Sequence, residues 1–187
     1  MTAPENTNTG TNIIYLHGKP FRLYKREHEI QEAVARVAAQ INADYAGARP
    51  LLLPLLNGAF VFAADLIRCL TIDCELSFVK VASYTGTQSS GQLHTLVGLA
   101  ENISGRHVII VEDIVDTGHT LARLLPELQA KNPASLKIAS LLVKPEALNN
   151  RLEVHYTGME IPNDFIVGYG LDYDGLGRNL CEIYQAI

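Results

Sequence analysis

Residues 108–120 read Val-Ile-Ile-Val-Glu-Asp-Ile-Val-Asp-Thr-Gly-His-Thr, the most informative stretch of the chain. An apolar run typical of a buried parallel strand stops at two adjacent carboxylates, Glu112 and Asp113. Asp116 then precedes a turn of small residues and a helix-like segment over residues 121–129. Because a helix N-terminus offers free backbone N–H groups and the positive end of the helix dipole, this turn is predicted to bind a phosphate.

Three carboxylates, those of Glu112, Asp113 and Asp116, lie beside this turn in the sequence. They would repel a phosphate unless they bind sugar hydroxyls or a divalent cation, or act as a base. A plain helix cap is the alternative interpretation of Asp-Thr-Gly, but a cap does not require Glu112 and Asp113. Phosphate, sugar diol, metal and base together indicate a phosphorylated ribose that reacts at its anomeric carbon.

Strands and helices alternate on both sides of this stretch. Strands are predicted over residues 51–56, 76–82, 108–111, 136–143, 165–167 and 181–184, with residues 96–99 pairing beside 76–82, and helices over 25–46, 59–70 and 121–129. This order predicts an α/β fold with an open, mostly parallel twisted sheet flanked by helices on both faces. Ligands bind at the carboxyl ends of such strands, where Asn57, Glu112, Asp113 and Lys144 fall.

Composition narrows the class of protein. A chain of 187 residues with 48% hydrophobic residues fits a single domain, predicted over residues 13–187. The net charge of −5 argues against a nucleic-acid partner, and the lack of a long apolar stretch argues against a membrane span. Three cysteines without CxxC spacing indicate reduced thiols and a cytoplasmic protein. Residues 1–12 are predicted to be a disordered lead-in.

The segment Glu112-Asp113-Ile114-Val115-Asp116-Thr117-Gly118 resembles the phosphoribosyl-diphosphate-binding signature of the type I phosphoribosyltransferases. It is most similar to the 6-oxopurine branch, the hypoxanthine(-guanine) phosphoribosyltransferases. The resemblance covers residues 50–180 and implies a small hood formed by terminal segments, with a purine-binding part at residues 155–187. It implies Mg²⁺-dependent transfer of phosphoribose from phosphoribosyl diphosphate to hypoxanthine and also guanine, with release of pyrophosphate.

The resemblance also assigns roles within residues 112–120. Glu112 and Asp113 would hold the ribose hydroxyls, directly or through Mg²⁺, and Asp116 would be the general base. The 5′-phosphate would lie in the turn formed by Thr117, Gly118, His119 and Thr120. His119 stands where many relatives carry lysine, and a solvent-facing histidine without a role in phosphate binding is an equal alternative.

Downstream residues complete the implied site. The segment of residues 161–173 is similar to the purine-binding segment of the family, in which Phe165 would stack on the base and Ile166 would bind it through backbone groups. Asp172 would help to bind the purine and to hold Mg²⁺, and Arg178 would contact pyrophosphate. Lys144, before Pro145, would donate to the purine 6-oxo group; a solvated lysine after a strand is the alternative.

Two further segments have family counterparts. Asn57-Gly58 lies where relatives have a pyrophosphate-binding turn, although many carry lysine there; the sequence does not show whether the Leu56–Asn57 peptide is cis. Residues 83–93, beginning with Ser83-Tyr84, resemble the flexible catalytic loop that closes over the substrates. A disordered surface connection is the alternative for that loop.

Two other functions remain open from sequence. One is a regulatory protein of the same fold that binds phosphoribosyl diphosphate or a nucleotide. The other is a phosphoribosyltransferase for another base such as xanthine, because the sequence does not rank hypoxanthine, guanine and xanthine. The resemblance also implies a homodimer or homotetramer, without deciding between them.

Overall fold

The computed structural model describes residues 12–82, 94–97, 99, 101–148 and 152–187. Two β-sheets and three helices are formed within these ranges. Their elements in chain order are β1 (Ile13–Leu16), β2 (Lys19–Lys25), α1 (Glu27–Asp44), β3 (Leu51–Leu56), α2 (Phe60–Cys69), β4 (Glu75–Leu76), β5 (Val79–Ala82), β6 (His94–Val97), β7 (His107–Val115), α3 (His119–Gln129), β8 (Ser135–Val143), β9 (Tyr156–Glu160), β10 (Ile166–Val167) and β11 (Ile183–Ala186). The predicted catalytic loop, with Ser83 and Tyr84, and residues 1–11 of the predicted lead-in lie outside the described residues.

The larger sheet is the mostly parallel sheet that the sequence predicts. Its strand order is β6-β5-β3-β7-β8-β9, with β4 beside β3, and only the β5–β6 pair is antiparallel. Strands β3, β7 and β8 end at the same edge of the sheet because they are parallel. Asn57 and Lys144 follow β3 and β8, and Glu112 and Asp113 lie near the end of β7, so the expected convergence at the carboxyl edge is confirmed.

Side chains along β7 point alternately to two helix layers, one on each face of this sheet. Ile109 and Val111 pack with α1 and α2, whereas Val108 and Ile110 pack with α3. Successive side chains of a strand point to opposite faces, so one apolar strand contributes to both cores. The prediction of helices on both faces is confirmed.

The structure corrects the predicted end of β7. The prediction ended it at Val111, before the carboxylates, but it continues to Val115 and contains both Glu112 and Asp113. The continuation is held by β8, which pairs with Glu112, Ile114 and Val115 in register. The following helix, predicted from residue 121, begins at His119, directly after the turn.

The smaller sheet joins the two ends of the chain. Its order is β1-β2-β11-β10, and all its neighbouring strands are antiparallel. The range 155–187, predicted as the C-terminal part of the hood, also contains β9, which lies in the larger sheet parallel to β8. The predicted strand 181–184 is shifted to Ile183–Ala186, where it pairs with β2. Within the described residues, no helix is long and apolar enough to cross a membrane.

Candidate active site

The turn between β7 and α3 forms a small cavity at the carboxyl edge of the larger sheet. Gly118 is the N-cap of α3 and adopts φ +75°, a left-handed conformation that favours glycine. The first turn of α3 contains no acidic residue, so its positive dipole end is not neutralised from within the helix. The cavity, of about 110 Å³, is lined by Glu112, Ile114, Val115, Asp116, Thr117, Gly118, His119, Thr120 and Leu121. This geometry suits a phosphate.

A second cavity of about 180 Å³ adjoins the first, because both are lined by Ile114 and Asp116. Its remaining lining is Asp113, Lys144, Phe165, Ile166, Leu171, Asp172 and Arg178. The fold therefore brings residues from five separate segments to one place. A larger cavity of about 610 Å³ lies between α3 and β8, but none of the predicted acids, Lys144 or Arg178 lines it.

Lys144 and Asp116 form an ion pair across the second cavity. The distance from Lys144 Nζ to Asp116 Oδ2 is 2.7 Å. The lysine side chain is 8% exposed, whereas the aspartate side chain is 45% exposed. The Lys144 backbone N–H also donates to the Val115 carbonyl, which fixes the end of β8 beside the end of β7. A buried donor and a more open carboxylate thus face the same space.

The two adjacent carboxylates of β7 line different cavities. Glu112 lines the cavity at the helix N-terminus, and Asp113 lines the one containing Lys144. Burial raises the pKa of Glu112 well above its ordinary value, and the charge of Asp113 adds to the effect. Burial also raises the pKa of Asp113, against hydrogen bonds that include the Ile114 N–H at 2.9 Å. Hydroxyl donors or a cation would favour the charged forms of both groups.

The Asn57-Gly58 turn packs between Asp113 and the segment after β10. The Leu56–Asn57 peptide is cis, which answers the question that the sequence left open. A Cβ atom on Gly58 would overlap the Asp113 carboxylate, and one on Gly170 would overlap the Gly58 carbonyl. Glycine is required at position 170, where φ is +97°, and a side chain at position 58 would displace the Asp113 carboxylate. The backbone of this turn therefore lies directly against the acidic edge of the site.

Arg178 and Asp172 fix each other on the far side of the second cavity. Arg178 Nη2 lies 2.6 Å from Asp172 Oδ1, and Nη1 donates to the Gly170 carbonyl at 2.6 Å. Asp172 Oδ2 accepts a hydrogen bond from the Gly175 N–H. A guanidinium held in this way presents a fixed positive charge beside the glycine turn.

The predicted metal ligands Glu112, Asp113 and Asp172 do not form one cluster. No group of three His, Cys, Asp or Glu side chains that could hold a metal is found in the part of the chain that the structure describes. One oxygen of Asp172 is held by Arg178, and the carboxylates of Glu112 and Asp113 line different cavities. This donor set still fits Mg²⁺, which typically uses one or two carboxylates together with waters and substrate phosphates.

Comparison with known proteins decides the family. The family model described as "Phosphoribosyl transferase domain" matches residues 23–174. The chain belongs to the phosphoribosyltransferase family.

Relatives place this phosphoribosyltransferase in the hypoxanthine-guanine branch. It is 45% identical over 153 residues to the hypoxanthine-guanine phosphoribosyltransferase of Streptococcus pneumoniae strain R6, covering 81% of this chain and 85% of that one. It is 43% identical over 162 residues to the enzyme of that name from Mycobacterium tuberculosis H37Rv, covering 83% and 80%. The comparison favours an enzyme over the regulatory alternative.

Solved structures agree with this placement. A hypoxanthine-guanine phosphoribosyltransferase from Bacillus anthracis is similar with a TM-score of 0.82 at 39% identity, covering 88% of this chain and 96% of that one. A hypoxanthine phosphoribosyltransferase from Staphylococcus aureus gives a TM-score of 0.83 at 36% identity, covering 89% and 91%. The predicted type I phosphoribosyltransferase fold is confirmed.

Within this phosphoribosyltransferase, Phe165 and Ile166 differ in exposure. Phe165 is 48% exposed and Ile166 is buried in β10, and both line the second cavity. Sequence reasoning missed two neighbours of the Phe165 ring, Lys19 and Phe21, and gave no role to a third, Tyr173. Tyr173 was signalled by the motif at residues 161–173, but nothing in the sequence connects the N-terminal strands to this motif.

Proposed function

We propose that this phosphoribosyltransferase acts in purine salvage, transferring the 5-phosphoribosyl group from phosphoribosyl diphosphate to hypoxanthine and to guanine. The products are IMP or GMP and pyrophosphate. The ion pair between Lys144 and Asp116 carries the proposal. Both residues line the cavity with an open aromatic ring, and Asp116 also lines the cavity suited to a phosphate. This arrangement provides a site for each end of a nucleoside monophosphate.

Lys144 and Asp116 would act on the base. The Lys144 ammonium is a donor only, so it pairs with a purine 6-oxo group and disfavours the exocyclic amine of adenine. Asp116 would take the proton from the purine imidazole nitrogen as that nitrogen bonds to C1′ and the bond from C1′ to pyrophosphate breaks. Phe165 would stack on the base, and backbone groups of Ile166 would contact its edge.

The acidic end of β7 and the turn would hold the phosphorylated ribose. Glu112 and Asp113 accept hydrogen bonds from the 2′- and 3′-hydroxyls or bind them through Mg²⁺. The residues from Thr117 to Thr120 surround the 5′-phosphate with backbone N–H groups, threonine hydroxyls and the His119 ring. Fixing both ends of the ribose keeps C1′ in line with the attacking nitrogen.

The leaving pyrophosphate would lie beside Arg178 and the Asn57-Gly58 turn. Arg178 offers a positive charge, and the turn offers backbone N–H groups. Asp172, Glu112 and Asp113 are the residues that would hold Mg²⁺. When bound, the ion supplies positive charge that stabilises the departing pyrophosphate.

Three features of the proposal come from the sequence and the family resemblance. The loop of residues 83–93, beginning with Ser83 and Tyr84, would close over the substrates to exclude water. The enzyme would be cytoplasmic, in keeping with the free thiols of Cys69, Cys74 and Cys181. It would act as a homodimer or homotetramer, without a nucleic-acid partner.

Product formation tests the proposal directly. The purified protein is incubated with Mg²⁺, phosphoribosyl diphosphate and, in separate reactions, hypoxanthine, guanine, xanthine or adenine. We expect nucleotide from hypoxanthine and guanine, none from adenine, and none after chelation of the metal. If only xanthine gave a nucleotide, xanthine would replace hypoxanthine and guanine as the proposed substrate. If no base gave a product, the proposed activity would be contradicted.

A further inference from the structure

Phe165 rests on an aromatic residue from the opposite end of the chain. Its ring is half-exposed and lines the second cavity of the site, called the base cavity from here on. The ring centroid lies 6.3 Å from that of Phe21 on β2. Phe21 itself is fully buried. A half-exposed ring keeps one orientation only where neighbouring side chains hold its remaining surface. The support of the predicted stacking residue therefore includes the N-terminal strands.

The register of the smaller sheet brings these two rings together. Phe21 pairs with Ala186 on β11, and the Ala186 N–H donates to the Phe165 carbonyl at 2.9 Å. The three residues thus form one row across the sheet. Residues two strands apart are separated by about 10 Å of backbone, so the small Ala186 side chain leaves room for the rings to approach.

The Lys19 ammonium group faces the aromatic cluster formed by Phe21, Phe165 and Tyr173. The ring of Tyr173 lies 5.7 Å from each of the other two. Lys19 Nζ is 5.4 Å from the ring centroids of Phe165 and Tyr173 and 6.0 Å from that of Phe21. These distances are within the range of cation–π attraction. Lys19 therefore attracts all three rings at once.

The turn between β1 and β2 contacts the two residues that follow Asp172. His17 Nε2 donates to the Asp174 carbonyl at 3.1 Å, and the His17 ring lies edge-on to Tyr173 at 5.9 Å. Asp174 and Tyr173 follow Asp172, which lines the cavity. The N-terminal hairpin thus touches two of the segments that form the base cavity.

We propose that Lys19 is a positioning residue of the purine site, whose ammonium group holds Phe165 against Tyr173 and Phe21 in the orientation that stacks on a planar 6-oxopurine. The inference rests on the proposed function, in which Phe165 binds the base. It adds the N-terminal hairpin to that site, although Lys19 and Phe21 lie outside residues 23–174, the part matched by the family domain.

The substitution Lys19→Met tests this role because it keeps an unbranched side chain and removes the charge. We expect the KM for hypoxanthine to rise roughly three- to tenfold, with kcat and the KM for phosphoribosyl diphosphate within about twofold of wild type. Lys19→Arg should restore the hypoxanthine KM, since a guanidinium also attracts aromatic rings.

Lys25→Met is the matched control. Lys25 lies on the same strand, its Nζ is 5.1 Å from the Tyr24 ring, and it pairs with Glu29 at 3.6 Å. Lys25 and Lys19 lie at opposite ends of β2, roughly 20 Å apart along a strand. Lys25→Met is therefore expected to leave all three kinetic constants unchanged. A general weakening of β2 would instead affect both variants.

Further measurements separate this inference from the proposed function. Phe165→Ala should raise the hypoxanthine KM; if it does and Lys19→Met does not, the positioning role is overturned while the proposed function stands. If Phe165→Ala leaves that KM unchanged, stacking by Phe165 is contradicted and the inference falls with it. Equal increases in both substrate KM values for Lys19→Met would also overturn the specific role.

A binding measurement gives a result that does not depend on turnover. Titration calorimetry compares IMP with ribose 5-phosphate on wild type and Lys19→Met. Weaker binding of IMP alone supports the positioning role, because only IMP carries the stacked base. Equal loss for both ligands, or no loss for either, overturns it.

Discussion

Two lysine–aspartate pairs lie at opposite ends of β8 and have different consequences. Lys137, near the start of the strand, lies 2.8 Å from Asp44 of α1. Lys144, directly after the strand, lies 2.7 Å from Asp116. The two pairs have almost the same length and the same chemistry, so their interaction by itself does not tell which one takes part in a reaction.

Their surroundings explain the difference. Tyr156 donates to the same Asp44 oxygen at 2.6 Å and accepts from Lys137 at 3.0 Å, so the three groups satisfy one another. Lys144 is buried and lines a cavity that also contains Asp116, Phe165 and Arg178. An ion pair beside open space can exchange its partner for a substrate. A pair closed by a third side chain joins elements of the fold instead.

The largest expected effect is on kcat, and it distinguishes Asp116 from Asp44. Asp116→Asn should lower kcat roughly 100- to 10,000-fold while phosphoribosyl diphosphate still binds, because the amide cannot take a proton. Asp44→Asn should leave kcat unchanged. Steady-state kinetics and calorimetric titration with phosphoribosyl diphosphate check both variants. Wild-type turnover by Asp116→Asn would exclude the base role.

A smaller effect is expected on base binding, and it distinguishes Lys144 from Lys137. Lys144→Gln should raise the KM for hypoxanthine about tenfold or more and weaken the preference for hypoxanthine over adenine, since the charged donor to the 6-oxo group is lost. Lys137→Gln should change neither quantity. The ratio of kcat/KM for the two bases is the measurement, and an unchanged ratio in Lys144→Gln would rule out its part in selectivity.

The smallest effect concerns stability and its pH dependence. Hydrogen bonds from Lys137 and Tyr156 lower the pKa of Asp44 below its ordinary value of 3.8. When the pH is above the ordinary pKa, a group with a lowered pKa in the folded state stabilises the fold. This contribution is lost as the pH falls through the lower pKa of the folded state. Lys137→Gln should therefore lower Tm slightly at neutral pH, and the difference from wild type should shrink below pH 3.8.

Thermal unfolding between neutral and acidic pH checks this expectation. Lys131→Gln, an exposed lysine after α3, serves as the control and should leave Tm unchanged throughout. A Tm difference for Lys137→Gln that stays constant as the pH falls would show that the pair does not act through the charge of Asp44.

Much of the larger sheet could be predicted because its signals are local. The helical spacing of apolar residues predicts α1, and the apolar run at Leu51–Leu56 predicts β3 to the residue. Strand β9 was not predicted, and it contains Gly158, a residue that weakens a strand in isolation. In the fold, a Cβ atom at this position would approach the Leu141 backbone closely, so the glycine allows β9 to lie against β8.

The chemical groups of the site and their order could be identified from sequence: the acidic pair, Asp116 before a glycine turn, the lysine after β8 and the motif around Phe165. These signals lie in short segments, where residue type and spacing carry the information. The pairing of Asp172 with Arg178 and the contacts of Lys19 and Phe21 with Phe165 become visible in the folded chain. Such contacts depend on strand register and on chain segments that are distant in sequence, and local spacing does not encode them.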